Sequence, residues 1–187
     1  MIDLKNMSFK KVNFKAAQTY RQKLKELKTW AQINGPKPLQ PALNYTLGWL
    51  SPELLGTGFR MIEVSDFAMK GLIPASHLNL DANEEVNQGL VLNASLELSK
   101  VFINRHMPES FYKISSSEIK IIKNQIWNEN LSLNLISSDS MMDHFFSAMQ
   151  ENKKAVLHFA IRIEFEKSKK MDNIDLKLVC EATKLIA

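Results

Sequence analysis

The hydrophobic pattern of residues 84–105 predicts one long helix that is buried on most of its sides. Apolar residues recur there at helical spacing in three stripes, of which Val86, Val91 and Leu92 are the first members. A helix that is apolar nearly all round must pack against other structure on nearly all sides. One polar stripe interrupts the pattern, and it consists of Asn93, Glu97, Lys100 and Asn104.

The segments around this helix favour strands. Residues 155–166 show the clearest alternation, because an apolar residue stands at every second position from Ala155 to Phe165. We predict strands at 59–70, 114–123, 131–136, 155–166 and 176–185, a hairpin-like turn at 128–130, and a short helix at 141–150 capped by Ser140. This order of elements predicts an α+β fold in which an antiparallel sheet wraps around the long central helix.

The first part of the chain differs from the rest in both pattern and charge. Apolar residues spaced three and four apart predict an amphipathic helix at 13–34, and prolines between Pro36 and Pro41 predict a stiff connector. We therefore divide the chain into a helical extension at 1–55 and a domain at 56–187. The chain has a formal charge of +4, whereas residues 1–33 hold eight basic and two acidic residues. This basic helix either packs on the domain with a solvated face, or docks on an acidic partner or a membrane surface.

Composition and charge argue against several classes of protein. A nucleic-acid-binding domain usually carries its basic residues on the folded core, whereas here they lie in the extension. The single cysteine, Cys180, cannot form an internal disulfide. No segment resembles a signal peptide or a transmembrane span, so we expect a cytoplasmic protein. The four histidines lack the spacing of metal ligands, and we expect neither a metal nor a cofactor.

Residues 83–89 lead directly into the central helix and read Asn-Glu-Glu-Val-Asn-Gln-Gly. This segment, together with the order of elements over residues 56–187, resembles the hot-dog-fold thioesterase superfamily, in particular its thioesterase-like domains of unknown function. Many members of that family carry an Asn, a Gly and a His-Gly-Gly run here, and an acidic residue about two and a half helical turns later. In this chain Gln88 and Gly89 stand where His-Gly is expected, and Glu97 follows Gln88 by nine residues.

The resemblance implies hydrolysis of an acyl thioester carried by coenzyme A or by an acyl carrier protein. Such a reaction needs a polarised carbonyl and either an activated water or a carboxylate nucleophile. Backbone N–H groups at the start of the helix can polarise the carbonyl, and Gly89 would give the thioester access to them. The candidate catalytic residues are therefore Glu97 and Gln88, and the candidate substrate-binding residues are Asn87, Gly89 and Asn93.

Each of the two central assignments has a structural alternative. Glu97 stands three residues before Lys100, which is the spacing of an ion pair on a solvated helix face. Gly89 could instead allow the helix to pack closely on the sheet.

Three functions remain open at this point. The chain could be an acyl-CoA or acyl-carrier thioesterase, a non-catalytic acyl-binding hot-dog protein, or an interaction protein that acts through its basic N-terminal helix. The exposed edge of a single sheet and the family resemblance both lead us to expect a homodimer.

Overall fold

The computed structural model describes residues 54–107 and 111–183, which form six strands and two α-helices. In chain order these are β1 (Arg60–Val64), β2 (Ala68–Ile73), α1 (Gln88–His106), β3 (Tyr112–Ile122), β4 (Leu131–Ile136), α2 (Asp139–Asn152), β5 (Lys154–Phe165) and β6 (Met171–Ala182). The predicted amphipathic helix at 13–34 and the proline connector lie outside these described residues. Within the described ranges, no helix combines the length and apolar character needed to cross a membrane.

The six strands form one antiparallel sheet in the order β1-β2-β4-β5-β6-β3. Helix α1 packs on its inner face, where Val91, Leu98 and Phe102 are fully buried. The ring of Phe102 meets Phe159 of β5 edge-on, with 5.6 Å between the ring centroids. This T-shaped contact is one of the favoured geometries for aromatic pairs. The predicted antiparallel sheet around a central helix is confirmed.

The predicted first strand at 59–70 is wrong in one respect, because it forms a hairpin of two strands. Ser65 makes the turn between β1 and β2: its Oγ accepts the Ala68 N–H at 2.9 Å and donates to the Ala68 carbonyl at 3.0 Å. Serine and aspartate favour such turns because their side chains bond to nearby backbone. The pair Ser65-Asp66 was therefore a turn signal inside an otherwise apolar segment.

The predicted hairpin between the second and third strands is also wrong. Strand β3 pairs with β6 at the edge of the sheet, whereas β4 lies between β2 and β5. The segment between β3 and β4 is therefore a crossover that carries the chain from one side of the sheet to the other. Sequence alternation marks each strand but not its partner, since the partner depends on contacts distant in sequence.

The remaining elements are of the predicted type, but α1 begins at Gln88 rather than at residue 84, and β6 begins at Met171 rather than at residue 176. Every second residue of β5, from Ala155 to Phe165, is buried. Helix α2 begins at Asp139, with Ser138 rather than Ser140 at its N-cap. It buries Met142, Phe145 and Met149 against the core.

Candidate functional site

The first turn of α1 is closed by the side chain of Asn87. Its Oδ1 accepts the backbone N–H of Gly89 at 2.8 Å and that of Leu90 at 3.3 Å. Asparagine is a preferred N-cap residue because its side chain satisfies N–H groups that have no partner within the helix. Asn87, Gln88 and Gly89 are all exposed, so the structure brings these three candidate residues together at one accessible helix end.

This cap leads to a testable expectation for stability. Replacing Asn87 by Ala should lower the free energy of unfolding by about 1 kcal/mol, because two N–H groups lose their acceptor. Asn87→Asp keeps an acceptor oxygen at the same position and adds a negative charge favoured at a helix N-terminus, so it should retain parent stability. Urea unfolding of both variants checks this, and an equal loss in both would show that the cap contributes nothing.

Gly89 does not mediate packing of the helix on the sheet. A Cβ built at this position would have one neighbour within 4 Å among the described residues, the Oδ1 of Asn87 at 3.0 Å. The residue therefore leaves room for the capping side chain and keeps the backbone of the first turn open to solvent. A substrate carbonyl could reach the Gly89 N–H only by displacing the Asn87 oxygen.

Asn93 and Glu97 lie further along the same helix. Asn93 is partly buried, and Glu97 is only 2% exposed. Eight residues separate Gly89 from Glu97, which corresponds to about 12 Å along the axis at 1.5 Å per residue. Within one chain, the Gly89 amide and the backbone of Glu97 therefore lie more than two helical turns apart.

Glu97 forms an ion pair, as its spacing allowed, but not on a solvated face. The Lys100 Nζ lies 3.6 Å from the Glu97 Oε2. The lysine side chain is 41% exposed, whereas the glutamate side chain is 3% exposed. Burying a carboxylate costs free energy unless other groups compensate its charge. Exposure to solvent therefore does not account for an acidic side chain at this position of the central helix.

Two buried residues near the chain just before α1 were not among the predicted site residues. Trp127 is fully buried in the crossover between β3 and β4, and its carbonyl accepts the Val86 N–H at 2.6 Å. Asp172, at the start of β6, is also fully buried and accepts the indole N–H of Trp127 at 2.8 Å. The sequence offered no signal for Asp172, because it precedes the predicted strand at 176–185 and stands in a run of charged residues.

The other reactive side chains do not form a second site in the described part of the chain. Burial raises the pKa of the Cys180 thiol to about 11, so this cysteine is a neutral side chain at physiological pH. Within residues 54–107 and 111–183, no group of three or more His, Cys, Asp or Glu side chains could hold a metal ion.

Comparison with known proteins identifies the fold. A Pseudomonas aeruginosa protein of unknown function, named as a probable thioesterase, is 7% identical with a TM-score of 0.61, covering 84% of this chain and 95% of that one. A Haemophilus influenzae thioesterase is 9% identical with a TM-score of 0.57, over 79% and 92% of the two chains. Mouse thioesterase superfamily member 2 is 7% identical with a TM-score of 0.54, over 79% and 96%.

No family model matches the chain, and no curated protein matches it in sequence. The structural matches nevertheless cover most of this chain and more than 90% of each matched chain. The chain therefore has the hot-dog fold of thioesterase-superfamily structures, as the sequence predicted.

Proposed function

We propose that this protein is a cytoplasmic acyl thioester hydrolase that acts on acyl-CoA or on an acylated carrier protein. The observation that carries the proposal is a buried carboxylate, Glu97, on the central helix of a hot-dog fold. Residues 87–89, at the start of the same helix, are exposed to solvent. The structurally similar proteins named above as thioesterases support the same reaction class.

The chemistry requires one group to polarise the thioester carbonyl and another to attack it. Backbone N–H groups at the start of α1, aided by the helix dipole, would stabilise the negative charge that develops on the carbonyl oxygen. The Glu97 carboxylate would activate a water or attack directly. Gln88 and Asn93 carry uncharged amides suited to orienting the water or the carbonyl, and Asn87 would release the Gly89 N–H to the substrate.

The distance along α1 places a condition on this mechanism. Gly89 and Glu97 stand about 12 Å apart along the axis of one helix, which disfavours action of both on the same carbonyl. Two copies of the chain, related by a two-fold axis, would solve this problem, because the amide of one helix could face the carboxylate of the other. We therefore propose a homodimer with sites between the subunits.

Among the described strands, β3 has a partner on one edge only, and its other edge supports this assembly. This strand has 11 residues, pairs with β6 on one side and lies at the end of the sheet order. Long unpaired edges tend to bond to another strand. We expect light scattering at micromolar concentration to report a dimer, and a monomer alone under those conditions would contradict the assembly.

A panel of acyl-CoA and acyl-carrier thioesters tests the reaction itself. Release of free thiol by the purified parent protein, with saturation at increasing substrate concentration, is the expected result. Absence of release across acyl chains from acetyl to palmitoyl, on both carriers, would refute the proposed activity.

A non-catalytic acyl-binding protein is the second candidate. It is favoured by the absence of a histidine from residues 83–89 and by the engagement of the Gly89 N–H with Asn87. In that case, a stable thioether analogue of acyl-CoA would bind to the protein while the thioesters remain intact.

A further inference from the structure

The chain just before α1 is tied to the crossover between β3 and β4 by two contacts, and a third contact lies within the crossover. Trp127 accepts the Val86 N–H through its carbonyl at 2.6 Å. Lys123 forms an ion pair with Glu85. The same lysine Nζ lies 5.1 Å from the centroid of the Trp127 ring, within the range of a cation–π contact. The position of the first turn of α1 therefore depends on where the crossover lies.

The first half of the crossover, residues 124–127, is held in turn by one buried carboxylate. Asp172 accepts the backbone N–H of Asn124 at 2.9 Å and that of Gln125 at 3.3 Å, in addition to the indole N–H of Trp127 at 2.8 Å. Hydrogen bonds to an ionised acceptor are roughly twice as strong as those between neutral groups. A fully buried carboxylate with three donors is a strong and directional anchor.

We infer that Glu85, Lys123, Trp127 and Asp172 form a latch that positions the N-terminal amides of α1 for the substrate carbonyl. This inference rests on the proposed function, since those amides are the proposed site of carbonyl polarisation. None of the four latch residues touches the reacting atoms in this account. They are positioning residues, and they act through Val86 and Asn87 on the first turn of the helix.

The latch would affect turnover, because catalysis depends on the positions of the N–H groups that polarise the carbonyl. Polarising donors act only when they lie at hydrogen-bond distance from the developing oxyanion. A displacement of about 1 Å can cost about a hundredfold in rate. Gln88 and Gly89 at the start of α1 are exposed, so packing holds this turn only from Leu90 and Val91 onward. The buried anchor at Asp172 would add rigidity at this exposed end.

The test replaces Asp172 by Asn, which keeps the shape but replaces an acceptor oxygen with a donor. Trp127→Phe is the second variant, because it keeps an apolar ring while it removes the indole N–H, although it also shortens the buried side chain. The matched control is Asp175→Asn, a change of the same kind at an exposed position three residues along β6. Hydrogen exchange of the Val86, Gly89 and Leu90 amides and steady-state kinetics with an acyl-CoA are measured, with rates expressed per folded protein.

In Asp172→Asn we expect the three amides to lose protection while amides in β5 keep theirs. We also expect kcat to fall by about tenfold or more with little change in KM, since the substrate still binds. Trp127→Phe should show the same changes at smaller size, and Asp175→Asn should show neither.

Two results would overturn the latch: unchanged protection of those amides in Asp172→Asn, or lost protection with an unchanged kcat. The second result would mean that these contacts contribute to stability only, and that their loss does not change the turnover of folded enzyme. Failure of the proposed function is distinguishable, because it appears as absent turnover in the parent, while the exchange data still decide whether Asp172 positions the helix.

Discussion

Replacing Glu97 by Gln should lower thioester turnover by about a hundredfold or more while the protein remains folded. Glutamine keeps the size of the side chain and removes the charge that activates water or attacks the carbonyl, and a general base contributes about 10²–10⁴-fold to rate. Lys100, the ion-pair partner, is 41% exposed and can be solvated when its partner becomes neutral. The measurement is kcat with an acyl-CoA substrate, together with urea unfolding.

The matched control for this change is Glu118→Gln. Glu118 also pairs with a lysine, Lys177, at 3.7 Å, but its side chain is 77% exposed on β3. We expect this variant to keep parent turnover. Unchanged turnover in Glu97→Gln would remove Glu97 from the mechanism and leave it as the partner of Lys100.

Mixing two inactive variants tests whether the site lies between subunits. Gly89→Val would block access to the N-terminal amides, and Glu97→Gln would remove the carboxylate. If each site takes one group from each subunit, co-expressed chains should form mixed dimers with one intact site. Random pairing in a two-fold dimer would then restore about a quarter of parent turnover. Restored activity is not expected if each subunit acts alone.

Replacing Phe102 by Ala should lower the free energy of unfolding by about 3–5 kcal/mol, the usual range for truncating a buried phenylalanine. Phe102 is fully buried in the C-terminal half of α1. Its ring contacts Phe159 of β5 and also lies 5.0 Å from the His106 ring, measured between centroids. Truncation therefore removes apolar burial and leaves a cavity between the helix and the sheet.

Urea unfolding with an unchanged m-value checks this expectation. Phe67→Ala is the control, because Phe67 stands in the turn between β1 and β2 and is 51% exposed. Its loss should change the free energy of unfolding by about 0.5 kcal/mol or less. A loss below about 1 kcal/mol in Phe102→Ala would mean that α1 is not the centre of the core.

The candidate site could be located from the sequence only in part. The run Asn87-Gln88-Gly89 and the position of Glu97 followed from the resemblance and from helical spacing. The sequence could not reveal that Asn87 caps the Gly89 amide, since a cap depends on where the helix begins, and we had predicted a start at residue 84. Nor could it reveal that Glu97 is buried, because Lys100 at ion-pair spacing is equally compatible with a solvated face.

The sequence by itself determined which segments are helix or strand and which of their faces are apolar. Periodicity is a local property: alternation in 155–166 and the near all-round apolar pattern in 84–105 are set by residues within a few positions of one another. Tertiary structure alone decided that residues 59–70 turn back at Ser65, that β3 crosses to the far edge of the sheet, and that Asp172 anchors Trp127. Each of these depends on partners 45 or more residues apart, such as Trp127 and Asp172, or on a local bond that competes with strand propensity. The long-range contacts among these form only when the whole sheet has assembled, and no local pattern encodes them.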